Sequence, residues 1–277
     1  MKKIAVIYHT HCPDGFTAAW AAWKKFHDRA DYYPVEPRAL PSVELKDKEI
    51  YILDNSISQE DLAALERHGN RVTVIDHHIS SEDDVKRAKS FVFNNAHSGA
   101  VLAWEYFHPK KPVPQFLKHV EDIDLWRFKV PHTREISMVA NLTKYEFKAW
   151  SVLVSTVENP ARRKKMIEEG KLLLRYNNEL VRRQVENAGL VEFMGHRACA
   201  VNTPILQSET GNALARTKAP VAIMWYERDG VRRFSLRGNG KIDVAALAAE
   251  FGGGGHHDAA GFVMKLDEPL PWKQLLR

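Results

Sequence analysis

The sequence predicts an α/β protein of two domains: a first with a mainly parallel sheet flanked by helices, and a smaller α/β domain with a mixed sheet, joined by a long helix. Three observations predict it. Apolar runs of strand length alternate with helical patterns in the N-terminal half, a long charged helical pattern follows Pro160, and shorter strand-like runs fill the C-terminal third. The runs 3–8, 49–53 and 71–75 are almost continuously apolar, as strands buried on both faces are. Residues 17–27, rich in Ala and Trp, follow the first run. Residues 59–68, with Leu62 and Leu65 on one face and acids in the first turn, follow the second, and both segments read as helices. Strand, helix, strand at this spacing means right-handed βαβ crossovers, which bring the strands' carboxyl ends to one side of the sheet. Residues 160–187 carry Met166, Leu172, Leu173, Leu174, Leu180 and Val181 among many charges and read as an interdomain helix. Its apolar stripe would pack on either domain or on a second copy, so a homodimer is compatible with it. Residues 197–202, 220–226 and 232–237 read as strands of the smaller sheet and 243–250 as its helix, whereas the glycine run 252–255 disfavours a regular helix or strand interior. The expected boundaries are 1–158, 159–188 and 189–277.

Each N-terminal run ends in polar residues. His9-Thr10-His11-Cys12-Pro13-Asp14-Gly15 follows the first, Asp54-Asn55-Ser56 the second and Asp76-His77-His78 the third, so His9, Asp14, Asp54 and His77 converge on one edge. Carboxylates crowded in one crevice repel unless protons or cations intervene, and mixed His and Asp donors suit Mn²⁺, with Mg²⁺, Fe²⁺ or Zn²⁺ less favoured. Further along, Glu121-Asp122-Ile123-Asp124 follows a predicted helix and offers Asp122 and Asp124, either of which could complete a two-metal site. Two metals roughly 3.5–4 Å apart serve in-line attack of hydroxide on a phosphate, so the implied reaction is phosphoester hydrolysis. In the C-terminal part, Gly254 and Gly255, followed by His256, would bring backbone N–H groups to an anion, and Arg237 could clamp a phosphate bidentately. Ser98 and Gly99 could present N–H groups at a helix start, or form only an N-cap. Asn202 is a candidate nucleotide contact that a turn role also explains. Trp104, Phe107 and Trp126, in apolar segments, read as core rather than as base-stacking residues.

These motifs in this order resemble the DHH phosphoesterase superfamily with a C-terminal DHHA1 domain. The chain is similar to the small nanoRNase and phosphodiesterase branch and more distantly to the RecJ exonucleases. The resemblance rests on the segment from His9 to Gly15, on Asp54, on Asp76-His77-His78, on the acids around Asp122 and on the ending Gly-Gly-Gly-Gly-His-His-Asp-Ala-Ala-Gly. It implies an N-terminal DHH domain that binds two Mn²⁺ ions, with Mg²⁺ or Fe²⁺ as alternatives, and a DHHA1 domain that binds substrate. It further implies His9, Asp14, Asp54, His77 and Asp122 as metal ligands, Asp54 bridging, His78 at the scissile phosphate, Asp76 orienting an imidazole, and Arg237 and His256 as phosphate contacts. One departure stands out: Cys12 occupies a place where the family has an aspartate. Cys12 is then either a thiolate ligand, favouring a softer ion, or a packed neutral thiol with His11 ligating instead.

The implied activity is hydrolysis of short 5′-phosphorylated oligonucleotides or linear dinucleotides, such as pGpG or pApA, to mononucleotides by metal-activated hydroxide. An exopolyphosphatase or nucleotide phosphatase would use the same centre, and a catalytically weak dinucleotide sensor is the alternative from another class. Two cysteines make no disulfide framework, and the opening apolar run is too short for a signal peptide or a membrane span, so a cytoplasmic enzyme with no membrane and no obligate protein partner is expected. A net charge of +5 favours anionic substrates, although part of the excess lies in the runs 162–165 and 182–183, which read as a solvated helix face.

Overall fold

The computed structural model describes residues 2–275. Its first part runs β1 (Ile4–His9), α1 (Pro13–Phe26), β2 (Ala30–Val35), β3 (Glu49–Leu53), α2 (Gln59–Arg67), β4 (Arg71–Asp76), α3 (Glu82–Lys86), β5 (Ser90–Phe93), α4 (Gly99–Phe107), α5 (Gln115–Asp124), α6 (Thr133–Ala140), α7 (Phe147–Glu158) and α8 (Pro160–Asn187). The five strands pair in parallel in the order β2-β1-β3-β4-β5. The chain leaves β1 towards one edge and returns to its other side as β3, so strand order reverses between these two, and a crevice opens beyond their carboxyl ends. Alternate residues of each apolar run feed two cores. Val6, Tyr8, Tyr51, Leu53 and Ile75 pack with Phe16 and Trp20 of α1, Trp104 of α4, Phe116 of α5 and Trp150 of α7. Ala5, Ile7, Ile50, Ile52, Val72 and Val74 face α2 and α3 through Leu62, Leu65 and Val85. Both faces are covered, which is why the runs lack polar alternation.

The edge strands β2 and β5 have no clear signal in the sequence: Pro34 interrupts one and the other is only four residues long. Helix α8 has the bounds read from the sequence. It buries Met166 and Gly170, while Leu172 and Tyr176 are exposed. At Gly170 an added Cβ would lie 2.1 Å from the Glu135 carbonyl oxygen, so only glycine lets α8 approach α6 this closely. The chain divides into two compact units inside this helix, between Leu174 and Arg175.

Beyond the helix, the second unit contains β6 (Gly189–Phe193), β7 (His196–Asn202), α9 (Gln207–Thr217), β8 (Val221–Arg228), β9 (Val231–Gly238), α10 (Val244–Ala249), β10 (Gly254–His256), β11 (Ala259–Lys265) and β12 (Lys273–Gln274). They form a mixed sheet in the order β10-β11-β9-β8-β7-β6-β12, in which β7 and β8 are the parallel pair and α9 is their crossover. The glycine run corrects an expectation, because it enters a strand. An added Cβ at Gly253 would lie 2.2 Å from the Gly261 carbonyl oxygen, and one at Gly255 would lie 2.4 Å from the Ala259 carbonyl oxygen. The glycines therefore allow β10 and β11 to close on each other, with His256 opposite Ala259. No helix among the described residues is long and apolar enough to cross a membrane.

Candidate metal centre

The carboxyl ends of β1, β3 and β4 and the amino ends of α1 and α4 meet at the switch point of the parallel sheet. Asp54, directly after β3, is 2% exposed and adopts φ +51°, a left-handed conformation that costs a non-glycine residue roughly 1–2 kcal/mol. Two glycines make room for it. An added Cβ at Gly15, in the first turn of α1, would lie 3.1 Å from Asp54 Oδ2, and one at Gly99, the first residue of α4, would lie 2.6 Å from Asp54 Cβ and 3.0 Å from Asp14 Oδ2. Both helices thus bring their backbones against the carboxylates. The Ala100 amide at the start of α4 donates to Asp14 Oδ1 at 3.1 Å, and the positive end of this helix favours the negative charge.

His9 Nδ1 lies 3.5 Å from Asp54 Oδ2 on one side, and His77 Nε2 lies 3.2 Å from Asp54 Oδ1 on the other. The same His77 nitrogen is 3.8 Å from Asp14 Oδ2 and 3.6 Å from Asp124 Oδ2. Potential donor atoms gather in three overlapping groups: His9, Cys12 and Asp54; Asp14, His77 and Asp124; and Asp54, Asp76, His77 and His78. Within each group the atoms lie within 4.8 Å of one another. Asp76 is fully buried. Its Oδ1 accepts from the His77 amide at 2.8 Å and meets His78 Nδ1 at 2.7 Å, which orients the His78 ring.

Charge is unevenly distributed over the cluster. Burial, reinforced by Asp124 and Asp54, pushes the Asp14 carboxyl well above the usual range, and burial with the neighbouring Asp54 pushes Asp124 up to about 6. Burial would raise Asp54 as well, but the neighbouring imidazoles of His77, His9 and His78 outweigh it and hold this carboxyl low. Burial opposes a charge on His78, yet its bond to Asp76 raises it to about 9. Burial, then Asp54 and Asp14, raises the Cys12 thiol. Both oxygens of Asp54, Asp14 Oδ2, Asp76 Oδ2 and His77 Nε2 are buried without a hydrogen bond of good geometry. Unpaired buried acceptors of this number are costly. A divalent cation would satisfy them, and a set of imidazoles and carboxylates is the donor chemistry that Mn²⁺ and similar ions take, so these residues fit the metal that the sequence implies.

Not every candidate joins the cluster. His11, with φ +54°, is exposed on the loop and stands outside the three groups, whereas Cys12, just before α1, stands inside one. Asp122 turns away from the centre: its carboxylate accepts from the Lys129 amide at 2.7 Å, the Val130 amide at 3.0 Å and the Thr133 hydroxyl at 2.6 Å. Burial opposes its ionisation, but these bonds outweigh burial and lower its pKa. Its lone pairs are engaged, and Asp124 takes its place beside His77. Ser98 and Gly99 are buried against the carboxylates, and the Ser98 amide donates to Glu121. In the second unit Arg237 donates to Ser208 Oγ at 2.8 Å and to the Leu236 carbonyl, while Gly254, Gly255, His256 and Asn202 are exposed. Gly15 was not singled out from the sequence, although the pair Asp14-Gly15 was its signal. Trp126, read as core, is 38% exposed, unlike Trp104 and Phe107, which are buried.

Two family models match the chain: the DHH family, N-terminal domain, over residues 3–124, and the DHHA1 domain over residues 195–271. Uncharacterized protein R106 of Acanthamoeba polyphaga mimivirus is 27% identical over 284 aligned positions, covering 92% of this chain and 66% of the relative. The chain thus spans just under two thirds of the length of that curated relative. Among solved structures, the DHH domain of a member of a ribosomal protein family is similar with a TM-score of 0.63 and 16% identity, covering 95% of this chain and 83% of that one. An exopolyphosphatase-related protein from Bacteroides fragilis has a TM-score of 0.56 and 16% identity, covering 97% and 88%. The exonuclease RecJ bound to manganese has a TM-score of 0.50 and 18% identity, covering 95% and 86%. At these identities the likeness is one of fold.

Proposed function

Since the chain belongs to the DHH/DHHA1 phosphoesterase superfamily, we propose that it hydrolyses phosphodiester bonds in short 5′-phosphorylated oligonucleotides or linear dinucleotides, releasing mononucleotides. The observation that carries this reading is the set of buried, unpaired donor atoms on Asp14, Asp54, Asp76 and His77 at the switch point. His9, Asp14, Asp54, His77 and Asp124 would hold two cations, with Mn²⁺ preferred, and Asp54 stands between the His9 and His77 imidazoles, where it would be shared. Asp124 replaces Asp122 in this set. When bound, the cations supply Lewis acidity at the phosphate and lower the pKa of an attacking water.

The chain itself supplies orientation and charge. Asp76 Oδ1, 2.7 Å from His78 Nδ1, orients this ring, so that its other nitrogen can donate a hydrogen bond to a phosphate oxygen. Gly15 and Gly99 let two helices hold Asp54 from both sides, so it need not reorganise during the reaction. Cys12, beside His9 and Asp54, stands where a thiolate would tune the preference of the nearer cation towards a softer ion. In the second unit, Arg237 and His256 remain our candidates for phosphate contacts.

The test is incubation of the metal-stripped full chain with 5′-phosphorylated RNAs of two to about seven nucleotides, a span set by short single-strand site sizes, and with polyphosphate, each with Mn²⁺ or Mg²⁺. Fastest mononucleotide release from the dinucleotide, abolished in Asp54→Ala with the fold retained, is expected. Phosphate release from polyphosphate alone would make the protein an exopolyphosphatase, and tight dinucleotide binding without turnover would make it a sensor. Full activity in Asp54→Ala or His77→Ala would overturn the metal assignment.

A further inference from the structure

The donors of the centre fall on two chemically different sides, and one sulfur makes the difference. Asp54 turns its carboxylate oxygens apart: Oδ1 lies 3.2 Å from His77 Nε2, and Oδ2 lies 3.5 Å from His9 Nδ1. On the His77 side stand Asp14 and Asp124, 3.8 and 3.6 Å from the same nitrogen, so that position is built from carboxylates and one imidazole. The group on the His9 side is His9, Cys12 and Asp54, whose donor atoms all lie within 4.8 Å of one another. Both Asp54 oxygens are buried without a hydrogen bond of good geometry, so each side holds an acceptor aimed at a partner that the protein itself does not supply.

Local sequence holds the sulfur in place. Cys12 precedes Pro13, which disfavours a helical conformation before it, and its backbone is extended, at φ −122° and ψ 127°. Its carbonyl accepts from the Phe16 amide at 3.0 Å and so starts α1. The thiol therefore sits at the positive end of a 14-residue helix, an environment that favours a thiolate. Gly15 lets that end press against β1, since an added Cβ would lie 2.4 Å from the His9 carbonyl oxygen and 3.1 Å from Asp54 Oδ2. His11, the other candidate on this loop, is exposed and outside the group. Structural cysteines are buried among apolar side chains, whereas Cys12 is half-buried beside an imidazole and a carboxylate.

We infer that the centre is asymmetric: Cys12 ligates, as a thiolate, the cation held by His9 and Asp54, and this position takes a softer ion, Zn²⁺ or Fe²⁺, while the position of Asp14, His77 and Asp124 takes Mn²⁺. Thiolate and imidazole are donors for zinc and iron, and carboxylates are donors for manganese and magnesium. Three protein donors leave one place open in a tetrahedral site, the arrangement of zinc sites that do chemistry. Ligation replaces the S–H bond by a sulfur–metal bond, the proton leaves to solvent, and nothing is oxidised. The inference rests on the two-cation reading above and confines Mn²⁺ to one of the two positions.

The experiment is anaerobic titration of the metal-stripped full chain with Co²⁺, a spectroscopic stand-in for Zn²⁺ and Fe²⁺. A cobalt–thiolate bond gives an intense charge-transfer band in the near ultraviolet that oxygen and nitrogen donors alone do not give. Wild type should develop this band with the first equivalent of Co²⁺ and keep it when equimolar Mn²⁺ is added. Cys12→Ser and Cys12→Asp should lose it, although Cys199 remains in both. Calorimetric titration of these variants with Mn²⁺ should still detect the position of Asp14, His77 and Asp124, which confirms a folded centre. Co²⁺ binding without the band in wild type, a band that survives in Cys12→Ser, or a band bleached by equimolar Mn²⁺ overturns the inference. A wild-type chain that binds neither ion would overturn the metal reading and this inference with it, whereas absent dinucleotide hydrolysis in a chain that shows the band would count against the reaction reading alone.

Discussion

Replacing Gly99 with alanine tests whether the centre depends on space as much as on ligands. The new Cβ would stand 2.6 Å from Asp54 Cβ, 2.8 Å from Asp54 Oδ1 and 3.0 Å from Asp14 Oδ2. Ordinary carbon contacts are about 3.5–4.0 Å, so the overlap is about 1 Å. Asp54 has little room to retreat, because Gly15 of α1 backs its other oxygen. In an unobstructed helix, alanine would stabilise by about 1 kcal/mol over glycine, whereas overpacking costs about 1–3 kcal/mol, so the net effect is a loss of up to about 2 kcal/mol. For a chain of this size that lowers Tm by up to roughly 8 °C. A carboxylate displaced by about 1 Å costs about 100-fold in rate, or about 2.7 kcal/mol of barrier. Thermal unfolding with and without Mn²⁺ reads the first effect and dinucleotide hydrolysis the second. Gly189→Ala is the reference, since its nearest neighbour, Gln274 Oε1, is at an ordinary 3.5 Å. If Gly99→Ala keeps the wild-type Mn²⁺-induced rise in Tm and the wild-type rate, the reasoning is refuted.

Asp124→Asn should weaken Mn²⁺ binding about tenfold or more while leaving the metal-free protein close to wild-type stability, whereas Asp122→Asn, which sets an NH₂ against amide donors, should cost about 2–4 kcal/mol in urea unfolding. The opposite pattern would restore Asp122 to the metal. Burial pulls His119 down to about 4 from its ordinary 6.5, so the unfolded chain takes up a proton first and stability falls as pH drops from about 6.5 to about 4, by up to about 3 kcal/mol. Urea midpoints at pH 7 and 5 in EDTA should therefore converge more closely in His119→Gln than in wild type, and equal losses would exclude this source. Gly170→Ala, with its Cβ 2.1 Å from a backbone oxygen of α6, should lower Tm by several degrees, and an unchanged Tm would show that α8 can shift at no cost.

The fold was most legible where one pattern had one structural solution. Strands buried on both faces need continuous apolar runs, and β1, β3, β4 and α8 were found by their periodicity. The edge strands were not, because an edge makes fewer demands: β2 tolerates Pro34 and β5 is short and partly exposed. Helix α9 was missed for a different reason. Its stretch Gln-Ser-Glu-Thr-Gly-Asn carries Gly211 mid-helix, a residue that disfavours helices. An added Cβ there would lie 2.4 Å from Met224 Cε and 2.6 Å from Arg237 Cγ, so the glycine serves packing on β8 and β9, which local sequence does not encode.

The site was legible in its residue types and less so in its directions. Strand ends announced His9, Asp54 and His77, since a parallel sheet leaves its carboxyl edge for chemistry whatever the helices do. At the end of α5 the sequence offered Asp122 and Asp124, and composition could not choose between them. Two residues apart on a helix means about 200° of rotation, so one carboxylate facing the cluster obliges the other to face away. What faces away is the loop 125–130, whose amides need an acceptor because two of its aromatic residues hold positive φ. Asp122 satisfies that need and Asp124 is left for His77. The two acids are therefore one device: exchanging their roles would require the loop to unwind.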